Sequence, residues 1–226
     1  MAQDYDTRQL VMFDIDGTLV ESYDFDAECF QDAVREVLDI EIDTDWHHYR
    51  HVSDTGILLQ VLDEQGIQTQ QETLIRRIRH EFTDRIASHL ASEPMIAVPG
   101  ARELFEALRQ REDVTLALAT GGWSETARLK LIAAGFDIHD VPLASSSHHY
   151  DRIEIMKQAE RLCAIDAPQR RTYFGDGPWD VLAAKALGYE FVLVGDRVDH
   201  TPSIADYQDL DRVLRLLELS PGPVQI

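Results

Sequence analysis

Lysine is nearly missing from this chain: Lys130, Lys157 and Lys185 are the only three among 21 basic residues, and the other 18 are arginine. Cysteine is as scarce. Cys29 and Cys163 stand alone, each inside a helix-like apolar pattern. That excludes a disulfide framework and reads as two reduced core thiols of a cytoplasmic protein. No apolar run approaches the roughly 18 residues that cross a bilayer, and the opening MAQDYDTRQ is too polar for a signal peptide. No membrane is expected as a partner. Positive charge is also in deficit. A formal charge of −20 repels phosphate backbones, so nucleic acid is not expected as a partner either. An acidic, lysine-poor surface suits a high-salt cytoplasm, where self-repulsion is screened; a GC-rich genome with a generally acidic proteome gives the same composition.

What remains is ordinary globular material. With 226 residues, 44% of them hydrophobic, the chain is long enough for one large domain, or one domain with an insertion. Five short apolar runs have strand length: residues 10–13, 114–119, 141–144, 172–174 and 191–194. They lack clean alternation, as expected when both faces of a parallel sheet are covered. Helical patterns separate the last four. One is capped by Ser124 and stopped by Gly135, one covers residues 153–163, and one covers 179–187 before Gly188. Alternating strands and helices predict an α/β fold, a Rossmann-like, doubly wound parallel sheet.

About a hundred residues separate the first two strands, far more than one crossover helix needs. Residues 27–38, 55–65 and 72–90 within that gap carry apolar positions at helical spacing, for example Leu74, Ile75, Ile78, Phe82 and Ile86. The expected organisation is a sheet domain of residues 1–22 and 93–226, interrupted by an all-helical insertion of residues 23–92. Val98-Pro99-Gly100 closes it with a turn, and SPGPVQI forms a loose tail.

Ligands of an open parallel sheet sit beyond the carboxyl ends of its strands. The first strand runs into Asp14-Ile15-Asp16-Gly17-Thr18 and the second into Thr120-Gly121-Gly122. The third leads to Ser145-Ser146-Ser147-His148-His149, and the fourth to Gly175-Asp176-Gly177-Pro178-Trp179-Asp180. Carboxylates, hydroxyls and glycines therefore converge on one edge. In extended backbone, residues two apart face the same side, so Asp14 and Asp16 share a space. Several carboxylates in one cleft raise each other's pKa unless a cation sits among them, and oxygen-only ligands favour a hard ion such as Mg²⁺. An EF-hand loop starting at Asp14 is excluded, because Leu19 stands where glycine is required and Phe25 where the bidentate glutamate is required.

FDIDGTLV, ATGG and FGDGPWD, in that order and with a helical insertion after the first, resemble the haloacid dehalogenase superfamily over nearly the whole chain. The likeness is to its phosphatase branches with a helical cap, of the phosphoglycolate phosphatase type. It implies Asp14 as the nucleophile that forms an aspartyl-phosphate, and Asp16 as general acid and then base. The family's dehalogenases lack this second aspartate. Thr120 would bind the phosphoryl oxygens, with Thr18 and Gly121 beside the substrate. Asp14, the Asp16 carbonyl and Asp176 would hold Mg²⁺, supported by Asp180. The family's lysine before the fourth strand has no clear counterpart. Family spacing, counted back from Asp176, lands on Arg152 or its neighbour and leaves Lys157 over a helical turn late. Arg152 at a helix start can present a charged fork to phosphate.

In this family the cap closes over the cleft and contacts the substrate. The cluster DWHHYRHVSDTG offers Tyr49, His51, Asp54 and Thr55 for that; Ser53 or Asp54 can equally be a plain helix cap. The pairs His47-His48 and His148-His149 lack a third ligand at zinc spacing and read as loop histidines. Trp123 and Trp179 suit either an apolar wall or the core. The expected function is a Mg²⁺-dependent phosphatase acting on a small phosphorylated metabolite. A phosphosugar mutase shares the same aspartate pair, and a binding or regulatory relative would have lost Asp14 or Asp176, which are present. A phosphonate-cleaving member would want a cap lysine, and residues 23–92 contain none.

Overall fold

Strand β1 (Gln9–Phe13) lies at the centre of the sheet, paired in parallel with β2 (Val114–Thr120) on one side and β4 (Arg170–Gly175) on the other. Val11 stands opposite Leu116 and Thr172. The structure, a computed structural model, describes residues 8–165 and 167–220. Among these the sheet order is β3-β2-β1-β4-β5-β6, with β3 (Leu143–Ser145), β5 (Glu190–Val194) and β6 (Ser203–Ile204), every pairing parallel.

Both faces of the sheet are covered, and for that reason the strands read as unbroken apolar runs. Val11 and Phe13 of β1 join one apolar cluster; Leu10 and Met12 join another on the opposite face. Each such side chain contributes about 1.5–3 kcal/mol when fully buried. Helices α4 (Ala101–Arg109) and α5 (Ser124–Ala133) pack on the first face, α6 (Arg152–Leu162) and α7 (Pro178–Leu187) on the second, and α8 (Leu210–Leu216) returns to the first. Phe13 and Phe174 stack at 4.8 Å between β1 and β4.

The α/β parallel-sheet expectation holds, with local differences. The third strand starts at Leu143 rather than residue 141, because Pro142 has no N–H for the ladder; its carbonyl accepts from Leu118. The fourth begins two residues early, where Arg170 and Arg171 pair with Glu190 and Glu160 and so hid the strand behind charge. Strand β6 is two residues long and gave no pattern. Ser124 is not a cap: it is the first residue of α5, and its hydroxyl meets that of Ser145 at 2.6 Å. The SPGPVQI tail lies outside the described residues beyond Ser220.

Between β1 and α4 stand α1 (Tyr23–Leu38), α2 (Asp54–Glu64) and α3 (Gln71–Ser92). Residues 39–53 join the first two and contain only the short 3-10 turn Trp46–His48. Phe30, Leu58, Val61, Ile78 and Phe82 form a separate apolar cluster, into which Trp123 of the sheet domain also inserts, with its ring 6.0 Å from Phe30 and 5.9 Å from Phe82. The chain enters and leaves this insertion side by side, with Glu21 N–H donating to the Ile96 carbonyl and Val98 N–H to that of Leu19. Gly100 (φ 77°) makes the closing turn, where a Cβ would lie 2.5 Å from the Tyr207 backbone. No helix among the described residues is long and apolar enough to cross a membrane.

Candidate active site

Asp14 follows β1 directly and is buried, with its N–H donating to the Phe174 carbonyl of the neighbouring strand. The N-terminal residue of α6 answers it: Arg152 Nη1 donates to Asp14 Oδ1 at 3.0 Å and stands 3.5 Å from Asp180 Oδ1. Lys157, the alternative, points elsewhere and pairs with Glu154 at 2.8 Å in an exposed position. The helix phase explains this: α6 starts at Arg152, so its first turn faces the strand ends while Lys157 has rotated to the surface. Burial pushes the Asp14 carboxyl up to about 7 against the pull of Arg152, with Asp180 and Asp16 adding to the rise.

Asp176, at the end of β4, is also buried, and neither of its oxygens accepts a hydrogen bond among the described residues. Burial, then Asp180 and Asp14, hold it well above the usual carboxylate range. Asp180 differs. Its Oδ2 accepts from the N–H groups of Asp176 and Gly177, and its Oδ1 from the Tyr173 hydroxyl at 3.0 Å. Carboxylate atoms of Asp14, Asp176 and Asp180 lie within 4.8 Å of one another. A divalent cation fits here, since unpartnered buried carboxylate oxygens are stable only beside positive charge. Asp14 and Asp176 are free to ligate, and the saturated Asp180 fixes the loop that carries Asp176.

Asp16 lies above this pair. Its Oδ1 accepts from both the Ser22 hydroxyl and the Lys130 ammonium, and its Oδ2 would stand 3.6 Å from a Cβ placed on Gly122, toward Thr120 Oγ1. Lys130 is buried and donates in addition to Asp26 of α1 at 2.7 Å. Burial opposes its charge, but Asp16 and Asp26 outweigh that and hold the ammonium above its ordinary range. Sequence reasoning missed both Lys130 and Asp26. The signal was present: Lys130 falls on the buried stripe of α5 with Thr126, Ala127 and Leu131, where a charged residue needs a partner.

The strand ends and the insertion enclose one cavity of about 630 Å³, counting its open mouth. Asp14, Asp16, Thr120, Gly121, Arg152 and Asp176 form its floor. Gly121 is required sterically: a Cβ would come within 2.8 Å of Arg152 Nη2 and 2.9 Å of the Val52 carbonyl. Asp54 closes the cavity from α2, its N–H donating to the Gly121 carbonyl and its Oδ2 accepting from Trp123 N–H at 2.8 Å. Ser53 caps α2 by accepting from Gly56 N–H, so Asp54 is free to face the cavity. Burial, then Asp26, raise Asp54 well above its ordinary range.

Three of the expected substrate contacts lie away from this cavity. Thr18 is fully buried and does not line the cavity. Tyr49 is buried in the helical cluster with its hydroxyl donating to the Asp43 carbonyl. His51 lines a different groove and stands 3.4 Å from Asp151. Thr55 holds the insertion to the sheet domain through Ser146 and the Trp123 indole. Of the two tryptophans, Trp179 walls the cavity and Trp123 packs in the core. His48 pairs with Asp43 at the surface, and the Nδ1 atoms of His148 and His149 accept from backbone N–H groups. None of them joins a metal-holding group among the described residues.

An aspartate floor at the strand ends, a fixed arginine and a lid of inserted helices define a hydrolase class, and comparison with known proteins names it. Residues 9–188 match the family model described as haloacid dehalogenase-like hydrolase, so the chain belongs to that family. As the family model describes it, the chain is a hydrolase. Over 182 residues, 79% of each chain, it is 24% identical to a putative pyrophosphatase PpaX of Clostridium perfringens. A hydrolase from Pseudomonas syringae superposes with a TM-score of 0.72 at 24% identity, covering 93% of this chain and 99% of that one. CbbY from Rhodobacter sphaeroides, solved with phosphate, gives 0.69 at 17% identity over 89% and 95%.

Proposed function

We propose that the protein is a Mg²⁺-dependent phosphatase that hydrolyses a small phosphomonoester through an aspartyl-phosphate on Asp14. The observation that carries this reading is the convergence in one cavity of buried Asp14, Arg152 at 3.0 Å from it, and Asp176 with neither oxygen hydrogen-bonded among the described residues. Asp14 attacks phosphorus, and the ester oxygen leaves with a proton from Asp16. Asp16 then takes a proton from the water that cleaves the acyl phosphate. Thr120 Oγ1 and the backbone beyond it donate to the phosphoryl oxygens, while the guanidinium of Arg152 neutralises them. Asp14, Asp176 and the Asp16 carbonyl would hold Mg²⁺, which when bound supplies charge stabilisation at the phosphoryl group. The cytoplasm is the location this reading favours, in keeping with two free thiols.

Phosphate release from a panel of phosphomonoesters tests the proposal, with and without Mg²⁺, for the parent and Asp14→Asn. Metal-dependent release abolished by the substitution supports it. Isomer formation without phosphate release would make the enzyme a mutase, and neither product would end the catalytic reading.

A further inference from the structure

The floor of the cavity takes the phosphoryl group, so the alcohol half of the substrate must lie against the inserted helices. That half has an unusual charge balance. Asp26 and Asp54 of the inserted helices line it above Asp16 of the floor, whereas Arg152 is the only basic side chain lining the cavity among the described residues, and its Nη1 is committed to Asp14 and Asp180. Lys130 lies behind Asp16 and Asp26, bonded to both, and is not part of the cavity wall. None of the arginines of the insertion lines the cavity, and three of them serve elsewhere. Arg35 and Arg85 pair with surface carboxylates, and Arg79 reaches Glu125 of α5. Arg197 lies 3.4 Å from the Tyr23 ring centroid with its Nε 3.8 Å from Asp176 Oδ2, so its charge is spent on the floor carboxylate, and it does not line the cavity. The remaining wall is aromatic: Phe30, Trp46 and Trp179.

A second anion on the substrate, whether carboxylate or phosphate, would enter beside Asp26 and Asp54, and the nearest cations, Lys130 and Arg197, are already paired with carboxylates and do not line the cavity. Like charges brought together out of water repel and act as a selective barrier. An ammonium meets the opposite situation, with carboxylates for hydrogen bonds and the faces of indole rings for cation–π contact. The buried Tyr23 hydroxyl, which has no hydrogen-bond partner among the described residues, adds a neutral polar contact at the same wall.

We propose that this site excludes phosphomonoesters carrying a second anionic group and accepts best those whose alcohol bears an ammonium, that is, a phosphorylated amino alcohol. Asp54 is the specificity-determining residue, since it faces the cavity without being tied to Lys130. This inference rests on the phosphatase reading of the same cavity, and the two are separated by experiment.

Three esters of similar size serve as probes with Mg²⁺ present: phosphoethanolamine, glycerol 3-phosphate and phosphoglycolate, with p-nitrophenyl phosphate as a generic phosphatase substrate. The expected order of kcat/KM is ammonium, then diol, then carboxylate, with at least about tenfold between the first and last. Asp54→Asn, which keeps an acceptor for Trp123 N–H, should narrow that gap severalfold, mainly through KM. Phosphoglycolate turned over as well as phosphoethanolamine by the parent overturns the inference, and so does an unchanged gap in a folded Asp54→Asn protein. If even p-nitrophenyl phosphate releases no phosphate, the phosphatase reading itself has failed and this inference falls with it.

Discussion

The ammonium of Lys130 lies 2.7 Å from Asp26 on α1 and at the same time donates to Asp16 beyond β1, so one buried side chain ties the inserted helices to the candidate acid-base residue. Both contacts engage Asp16 and Asp26 through Oδ1. With Ser22 as a second donor on Asp16 Oδ1, the carboxylate is held so that its other oxygen serves the cleft.

Lys130→Met is therefore expected to do two things. It leaves two carboxylates facing each other without their cation, a loss of about 3–5 kcal/mol in stability. It also frees Asp16 to rotate, which slows esters with poor leaving groups more than p-nitrophenyl phosphate, because only the former depend on protonation. Thermal denaturation and the ratio of kcat values on the two ester types check this. An equal loss on both would assign Lys130 a purely structural role.

At the other side of the floor, Arg152→Lys is expected to lower kcat/KM by about a hundredfold, since one ammonium cannot hold a donor between Asp14 and Asp180 while a second arm rests on the Val52 carbonyl. Lys157→Ala should leave activity unchanged and stability within about 0.5 kcal/mol, as an exposed pair with Glu154 predicts. Steady-state kinetics on both variants distinguishes the two basic residues directly.

Gly121→Ala places a methyl group 2.8 Å from Arg152 Nη2 and 2.9 Å from the Val52 carbonyl. The backbone at Val52 must shift to admit it, a loss of about 1–3 kcal/mol in stability, while kcat/KM falls by about ten- to a hundredfold through displaced guanidinium geometry. Wild-type kinetics in this variant would show that Arg152 has room the structure does not suggest.

Burial pushes Asp14 up to about 7 and Asp26 up to about 6, both above an ordinary value of 3.8. The folded chain then binds these protons more tightly than the unfolded one. Their stabilisation is complete below about pH 4 and is lost as pH rises toward 6 to 7. Carboxylates shifted the other way, such as Asp113 and Glu160, act below about pH 4.5 and leave this window clear. Metal-free protein should thus melt at lower temperature at about pH 7 than at about pH 5, and Mg²⁺ should restore more at the higher pH. A melting series with and without Mg²⁺ reads both effects; a metal-free curve that rises with pH would contradict them.

Much of this site could be read from the chain because it is written in local pattern. Asp14, Thr120 and Asp176 each end a strand, and a parallel sheet carries strand ends to one edge whatever the intervening length. Asp54 and Arg152 were also within reach, one by its polar neighbourhood and the other by counting. Tyr49 and His51 failed for a different reason: the 15 residues from 39 to 53 have no regular period, so nothing in their spacing tells inward from outward. Lys130 and Asp26 are separated by 104 positions. Their pairing depends on how α1 settles against α5, which only tertiary packing decides.

Trp123 belongs to the loop after β2, yet its indole is shared with Phe30 and Phe82 of the inserted helices. The helices cannot melt without stripping that ring, and the sheet cannot lose β2 without withdrawing it. The two halves therefore share one buried ring, and loosening either of them uncovers the indole against which the other packs.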